Sequence, residues 1–288
     1  MSLQTAQPPA PTADEQPVDR IRGRRRRPRW GDRMLRIYTW VVILWLVLPI
    51  IVIAAFSFND PVGRRNTRWQ GFTLEHWGDA FALPELRRAL VNSLLVALIT
   101  MVVAGVLGTM VGLALGRYRF RGSGATNLVM FAVISSPELI MGASLLTLFV
   151  SLGMGRGFVT VLIAHIMFSI SFVAVVVRAR VLTLDRSIEE AARDLGATAF
   201  TTFRLVTFPM IFPAVLSGAL LAFALSIDDF VITQFNAGLH FQTLPLWIWG
   251  SAKLGLKPEV NVIGTLLFLV GVVIATGSAI NARRRERS

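Results

Sequence analysis

Six long apolar runs limit the folds open to this chain more than any other feature of its sequence. Each run approaches or exceeds the ~20 residues that an α-helix needs to cross a bilayer. Of the 288 residues, 54% are hydrophobic and only 16% are charged, whereas a soluble domain usually has about a quarter of its residues charged. We therefore predict an all-α integral membrane protein, with six transmembrane helices in a domain of residues 37–282. The predicted spans are residues 37–58, 90–115, 128–152, 158–177, 211–235 and 261–282.

The basic residues are unevenly distributed along this predicted topology. With the N-terminus inside, the inner segments hold 21 of the 29 Lys and Arg residues, and the outer loops hold eight. Cytoplasmic segments of membrane proteins carry such an excess of positive charge, so we predict that both termini are cytoplasmic. The net charge of +12 then reflects topology, and nucleic-acid binding is not expected.

Both ends of the chain are predicted to lie outside the transmembrane domain. Residues 1–20 are rich in Pro, Ala and Gln and are predicted to form a disordered cytoplasmic tail. Residues 21–36 form a basic juxtamembrane segment, in which Arg24–Arg27 would anchor the chain on anionic lipid. Residues 283–288 are predicted to form a basic cytoplasmic C-terminus. The first apolar run is too long for the core of a secretory signal, so we expect it to be retained as a span.

The sequence contains no recognisable catalytic or cofactor-binding motif. It has no cysteine, and its three histidines are well separated without an H-E-x-x-H pattern, so neither thiolate chemistry nor a metal site is expected. It also lacks G-x-x-x-x-G-K, the loop that cradles the phosphates of ATP. Asp228 and Asp229 are adjacent, and neighbouring residues do not face each other as protease carboxylates do. We therefore predict no enzyme activity and no cofactor in this chain.

Four ionisable residues lie inside predicted spans, where charge is costly and usually functional. Glu138 follows Pro137 and is predicted near the bilayer midplane, about ten residues into its span. Asp228 and Asp229 are predicted in the outer half of the fifth span, and adjacent helix positions cannot face one point unless the helix is broken there. We predict a substrate pathway lined by Asp228, Asp229, Glu138 and His165. The structural alternatives are a hydrogen bond from His165 to a neighbouring helix, satisfaction by Glu138 of backbone groups freed by Pro137, and a bracing ion pair for one aspartate.

The second span carries glycines at a spacing that places them on one helix face. Gly108, Gly112 and Gly116 follow one another at intervals of four residues, with Gly105 nearby. A stripe of small residues lets the backbone of another helix approach closely. We predict a helix-packing role for this stripe.

A polar loop, residues 183–210, separates the fourth and fifth apolar runs. Ser187 and Glu190 have the spacing of a capping box at a helix N-terminus, and Gly196 fits a C-terminal stop. A second short helix is predicted at 199–206. The first helix would present an apolar face with charged edges, which suits docking into a groove; a helix on the membrane surface is the alternative, but such helices are enriched in basic residues. The apolar residues that recur on that face are Leu184, Ile188, Ala191, Ala192 and Leu195.

This loop resembles the EAA loop of the permease subunits of binding-protein-dependent ABC importers. The family pattern is E-A-A, three residues, G, nine residues and I-x-L-P; at the same spacing this chain has Glu190-Ala191-Ala192, Gly196 and Val206-Thr207-Phe208-Pro209. The resemblance implies a type I importer fold, in which cytoplasmic coupling helices in this loop dock into an ATPase subunit. The residues that it associates with this coupling are Glu189, Glu190, Ala191, Ala192, Asp194, Leu195 and Gly196.

Other segments are similar to the spermidine/putrescine permease branch, specifically to its second permease subunit. They include LDRSIEEAARDLGAT, SIDDFVITQF, KPEVNVIGTLL and AHIMFSISFVAVVV. The resemblance implies ATP-driven polyamine import by alternating access in the bacterial inner membrane. The partners it implies are a second related permease, two ATPase subunits that carry ATP and Mg, and an extracytoplasmic binding protein. The alternatives are an ABC permease for ferric ion, thiamine or an aminophosphonate, a stand-alone secondary transporter, and a membrane-embedded enzyme.

Overall fold

The computed structural model describes residues 30–63, 65–81 and 83–285. The described part of the chain divides into two compact units, the first ending at Ile51 and the second beginning at Val52. The described part of the first unit is entirely helical. The predictions for the tail of residues 1–20, for Arg24–Arg27 and for the last three residues fall outside the described part.

Twelve α-helices make up most of the described residues. The long helices contain the apolar runs, and the short ones occupy the connections between them. A π-helical turn, Phe203–Thr207, joins α8 to α9. The helices are α1 Trp30–Phe56, α2 Glu75–Gly78, α3 Pro84–Arg117, α4 Ser123–Ser135, α5 Glu138–Ser151, α6 Phe158–Leu182, α7 Ser187–Asp194, α8 Ala199–Thr202, α9 Phe208–Ile227, α10 Val231–Asn236, α11 Leu244–Leu254 and α12 Pro258–Arg285.

Each predicted span coincides with a helix or with a pair of helices. Among the described residues, four helices are long and apolar enough to cross a membrane, and α4 with α5 makes a fifth if that bent pair is one span. The sixth apolar run lies in α12, whose segment Pro258–Val273 is a shorter apolar helix. The all-α membrane architecture is confirmed, but six spans are not all shown by length and composition. The four long apolar helices are Trp30–Phe56, Pro84–Arg117, Phe158–Leu182 and Ala199–Ile227. The last of these is the continuous helical stretch made of α8, the π-helical turn and α9.

The third predicted span is not one continuous helix. The chain bends by 112° between α4 and α5. Ser136 adopts an extended conformation there, because the ring of the following Pro137 disfavours a helical conformation in the residue before it. The prediction of one straight helix is therefore wrong at this point: Glu138 is the first residue of α5, directly after the bend, and is exposed. Its position near the bilayer midplane stays a prediction.

The fifth predicted span also contains a break. Helix α9 ends at Ile227, and α10 begins only at Val231. The predicted helix of residues 211–235 is therefore interrupted at residues 228–230, and residues 231–235 are helical again. This break releases Asp228 and Asp229 from the fixed angle between adjacent helix positions.

Helices α3, α6 and α9 pack against one another and form the centre of the second unit. Their contact includes a cluster of buried apolar residues from all three helices, among them Ala104, Val177 and Ala222. The glycine stripe of α3 faces α6: a Cβ on Gly108 would lie 2.6 Å from the Cβ of Val173, and one on Gly112 would lie 2.7 Å from the carbonyl oxygen of Ala174. The predicted packing role of these glycines is confirmed.

Replacing Gly112 by alanine is expected to destabilise this helix pair. The new methyl group would meet the backbone of α6, which moves less readily than a side chain, and overpacking of this kind costs about 1–3 kcal/mol. Thermal melting of the detergent-purified chain, followed by size-exclusion chromatography after heating, measures the loss. Gly105→Ala is the matched control on the same helix, since its methyl group would meet only the Cβ of Ala219, at 3.4 Å. Equal melting temperatures for the two variants would contradict the prediction.

Candidate functional site

The polar loop folds into two short helices, α7 and α8, followed by the π-helical turn that leads into α9. Helix α7 ends at a glycine stop: Gly196 has a φ of +87°, its N–H donates to the carbonyl of Arg193, and the N–H of Ala197 donates to the carbonyl of Ala192. This pair of hydrogen bonds is the pattern in which a left-handed glycine closes a helix. The predicted stop at Gly196 is confirmed.

The start of α7 differs from the prediction. Arg186 occupies the N-cap position and its side chain makes no capping hydrogen bond. Instead, the N–H of Ser187 donates to Oδ1 of Asp185 at 3.0 Å, and this hydrogen bond lowers the pKa of the Asp185 carboxyl. The predicted capping box of Ser187 and Glu190 is therefore wrong: the N–H of Glu190 donates to the carbonyl of Arg186, and the carboxylate of Asp185 accepts the N–H of Ser187 instead.

One face of the polar loop exposes apolar side chains. Leu195 is 90% exposed and Phe200 is 70% exposed. Ile188 and Ala191 are also exposed, whereas Leu184, predicted on the same face, is buried in the core with α6. The apolar face of α7 thus has few contacts within the described residues. Among the charged residues at its edges, Glu190 and Asp194 are exposed.

Glu189 is more buried than the adjacent Glu190. Its side chain is only 13% exposed, and its Oε1 lies 2.8 Å from Nη2 of Arg117 at the end of α3. The same oxygen accepts a hydrogen bond from the hydroxyl of Thr207 at 2.9 Å. A second, more exposed guanidinium, that of Arg193, lies 3.9 Å from Oε2. The carboxylate of Glu189 is therefore occupied inside the chain.

His165 and Asp229 form a buried polar cluster between α6 and the α9–α10 break. Nε2 of His165 lies 3.2 Å from Oδ2 of Asp229 and 3.0 Å from the hydroxyl of Thr233, while Nδ1 lies 2.8 Å from the hydroxyl of Ser226. Since the single hydroxyl proton of Thr233 is donated to Asp229, the hydroxyl oxygen of Thr233 accepts from Nε2 of His165, and Nδ1 is hydrogen-bonded to the hydroxyl of Ser226. The structural alternative for His165, a hydrogen bond to a neighbouring helix, is confirmed.

Asp229 also holds the start of α10. Its carboxylate accepts the backbone N–H groups of Ile232 at 3.2 Å and of Thr233 at 2.8 Å. These are the first-turn donors that have no partner within a helix. Asp229 thus joins α6 to α10 and is buried, with a side-chain exposure of 8%.

Asp228 has different surroundings. It lies at the edge of a cavity of about 780 Å³, which is lined mainly by apolar side chains from α3, α9, α11 and α12. Asp228 is the one charged residue among the described residues that line this cavity. Two aromatic rings lie beside it, Phe230 and Trp249, with ring centroids 5.2 Å apart. The two adjacent aspartates therefore separate, one into a polar cluster and the other to a cavity.

Glu138 joins neither group. The structure shows no hydrogen bond or ion pair of its carboxylate within the described residues, and its side chain is exposed at the start of α5. The four predicted pathway residues thus occupy three environments, and only His165 and Asp229 are in contact with each other.

Residues 108–287 match the family described as binding-protein-dependent transport system inner membrane component. The match covers more than half of the chain. The chain belongs to this family. It is therefore a multi-pass membrane component of a transport system, and the matched region includes both the polar loop and the α9–α10 break.

Two permease proteins of transport systems are similar to this chain over most of its length. The spermidine/putrescine transport system permease protein PotC of Escherichia coli (strain K12) is 37% identical over 257 residues, which cover 89% of this chain and 95% of the relative. The putrescine transport system permease protein PotI of the same strain is 40% identical over 237 residues, or 80% of this chain and 84% of the relative.

Solved structures support the fold of the transport component. A bacterial ABC transporter involved in the import of the acidic polysaccharide alginate has a chain with a TM-score of 0.65 and 18% sequence identity, covering 88% of this chain and 98% of that chain. An amino acid ABC transporter determined with histidines gives a TM-score of 0.55 at 18% identity, covering 74% of this chain and 100% of that chain. The predicted type I importer permease fold agrees with these neighbours.

Sequence reasoning missed several residues that complete these clusters. In the sequence, Arg117 stands out only as one of the charges that orient the spans, and Thr207 only as a position in the motif. Ser226 and Thr233 are small polar residues in apolar surroundings and carry no distinctive pattern. Only the separation of Ser226, Asp229 and Thr233 by three or four residues gives a signal, because residues at that spacing share a helix face.

Proposed function

We propose that the chain is a permease subunit of an ATP-driven polyamine importer. The observation that carries this proposal is the similarity to spermidine/putrescine and putrescine permeases along most of the chain. That similarity includes the polar loop and the segment with Asp228. We infer that the cargo of this chain belongs to the same class, short flexible amines with two or more positive charges.

The exposed face of α7 and α8 would be the surface on which an ATPase subunit docks. The loop would then lie in the cytoplasm, with both termini on the same side. A second related permease would complete the transmembrane pathway, and two ATPase subunits would bind ATP and Mg. A binding protein outside the membrane would deliver the cargo. ATP binding and hydrolysis on the partner subunits would favour outward-open and inward-open states in turn, and cargo shifts that equilibrium only through different affinities for the two states.

The cavity beside Asp228 has the chemistry that an ammonium cation requires. A carboxylate next to aromatic rings offers charge pairing together with cation–π contact. Trp249 already accepts one cation within the chain, since Nζ of Lys253 lies 5.4 Å from the centre of its ring. An apolar wall around a single carboxylate also suits the methylene segments between the charges of a polyamine. We propose that Asp228 contacts the cargo and that Asp229 and His165 support the helix break behind it.

Uptake of labelled spermidine by membrane vesicles tests this function. The vesicles contain the co-expressed complex, with or without this chain, and ATP is supplied inside or withheld. We expect uptake that requires this chain and ATP and that putrescine inhibits. Inhibition by ferric ion, thiamine or an aminophosphonate instead would assign another cargo. ATP-independent uptake by this chain alone would favour a secondary transporter.

Asp228→Asn is expected to lower polyamine uptake about tenfold, which corresponds to the loss of one interaction with a charged group. The chain should still assemble with its partners, because the side chain of Asp228 is exposed. Initial uptake rates at several spermidine concentrations, normalised to the amount of purified complex, give the result. Asp60→Asn, at another exposed aspartate, is the matched control. Equal uptake by the two variants would refute the proposed contact between Asp228 and cargo.

A further inference from the structure

Two adjacent glutamates at the start of α7 have opposite surroundings. Glu190 is exposed, while Glu189 is largely buried, with its Oε1 bound by Arg117 and Thr207. Docking on the loop therefore accounts for Glu190 and leaves Glu189 unexplained. Burying a carboxylate is costly unless it is paired and hydrogen-bonded, so the pairing of Glu189 calls for a structural or a mechanical reason.

The contacts of Glu189 join three separate elements at one oxygen atom. Arg117 is the last residue of α3, and its side chain is only 10% exposed. Thr207 is the last residue of the π-helical turn that leads into α9, and it is buried. Glu189 itself lies in the first turn of α7. One carboxylate oxygen thus links the surface helix α7 to two helices of the central bundle.

Two further hydrogen bonds hold the turn between α6 and α7 against the end of α3. Nη1 of Arg117 donates to the carbonyl of Leu184 at 3.5 Å. In the reverse direction, Nη2 of Arg186 donates to the backbone carbonyl of Arg117 at 3.2 Å. The turn that leads into α7 is therefore attached to the end of α3 beside the ion pair.

The chemistry of this connection favours fixed geometry over stability alone. A buried ion pair adds little net stability compared with apolar residues of the same volume. A charge-assisted hydrogen bond, however, has a defined direction and length, so it sets the position of α7 along α3 where an apolar contact would allow sliding. Arg193 provides a comparison, because it contacts the other oxygen of the same carboxylate. Its Nη2 lies 3.9 Å from Oε2 of Glu189 and its side chain is 57% exposed, so it is a weak partner.

We propose that Arg117, Glu189 and Thr207 are positioning residues that fix α7 to α3 and α9, so that a force applied to the exposed face of α7 moves the membrane helices. This inference rests on the proposed docking of an ATPase subunit at that face. Without the connection, α7 would still carry its docking surface, but its displacement would be absorbed by movement of the loop. Loss of the connection should therefore separate ATP hydrolysis from transport.

The first test compares Glu189→Gln and Arg117→Gln with Arg193→Gln in the complete complex. The first two variants should retain the ATPase subunit and its ATP hydrolysis, while spermidine uptake per ATP hydrolysed falls about tenfold, the equivalent of one hydrogen bond to a charged group. Arg193→Gln should behave like the unaltered chain. An unchanged ratio in both buried-pair variants would overturn the proposal. Where the complex of a charge variant cannot be isolated, Thr207→Val removes only a hydroxyl group and should lower the same ratio.

A second test measures the position of α7 directly. The chain contains no cysteine, so spin labels can be attached to Ser187→Cys on α7 and Met110→Cys on α3, both at exposed positions, in the complex in nanodiscs. We expect a narrow distribution of label distances that broadens with Glu189→Gln and not with Arg193→Gln. Equal distributions would overturn the proposal. If the unaltered complex does not transport polyamine, the cargo assignment fails while this measurement still decides the inference; if it does not retain an ATPase subunit, the proposed docking fails.

Discussion

Glu190→Arg is expected to release the ATPase subunit from the complex. Glu190 is exposed on the polar loop, next to apolar side chains that have few contacts in the chain, including Leu195 at 90% exposure. A surface that accepts a carboxylate places donors or positive charge opposite it, and juxtaposing like charges costs several kcal/mol. Retention of the ATPase subunit should therefore weaken by about 100-fold or more. Affinity purification through a tag on this chain, followed by quantification of the co-purified ATPase subunit, measures the effect.

The controls separate docking from folding. Glu75→Arg makes the same change at an exposed glutamate of α2 and should leave retention unchanged. Leu195→Asn removes an exposed apolar side chain from the docking face and should weaken retention less than the charge reversal. Full retention with Glu190→Arg would show that this residue lies outside the docking surface. Poor recovery of the permease itself would instead indicate misfolding, which the melting assay described for Gly112 detects.

Much of the architecture could be predicted from local sequence. Apolar runs near 20 residues in length identify the membrane helices, because an α-helix satisfies all its backbone hydrogen bonds within the segment, as the hydrocarbon core of a bilayer requires. The stop at Gly196 was also predictable, since it depends on one residue in a left-handed conformation. The helix breaks at Pro137 and after Ile227 were harder: Pro137 and the adjacent Asp228 and Asp229 mark places where a helix can break, but they give no signal of the angle.

The candidate site was less predictable, because its interactions connect distant parts of the chain. Glu189 pairs with Arg117, which lies 72 positions away, and His165 pairs with Ser226, 61 positions away. No periodicity within one helix links such residues. The sequence placed Asp228 and Asp229 together as a pair of carboxylates, and only the helix break shows that one faces a cavity while the other joins a buried cluster. Local chemistry therefore identified the candidate residues, and tertiary packing separates their proposed roles.

Asp229→Ala is expected to have the largest effect on stability of any change near the cavity. It would remove the acceptor of four donors at once: the backbone N–H groups of Ile232 and Thr233, the hydroxyl of Thr233 and Nε2 of His165. Loss of a helix cap costs about 1 kcal/mol, and each buried polar group left without a partner costs about 1–3 kcal/mol. A destabilisation on the order of 2–5 kcal/mol is therefore expected.

The neighbouring residue supplies the matched control. Asp228→Ala removes the same carboxylate one position earlier, where the side chain is exposed, and should leave the melting temperature of the purified chain close to that of the unaltered protein. Asp229→Asn keeps one acceptor oxygen for the α10 N–H groups and should fall between the two. The expected order of melting temperatures is Asp228→Ala, then Asp229→Asn, then Asp229→Ala. Equal melting of the two alanine variants would contradict the bracing role of Asp229. The opposite order would mean that Asp228 carries the buried contact, so the roles of the two aspartates would have to be exchanged.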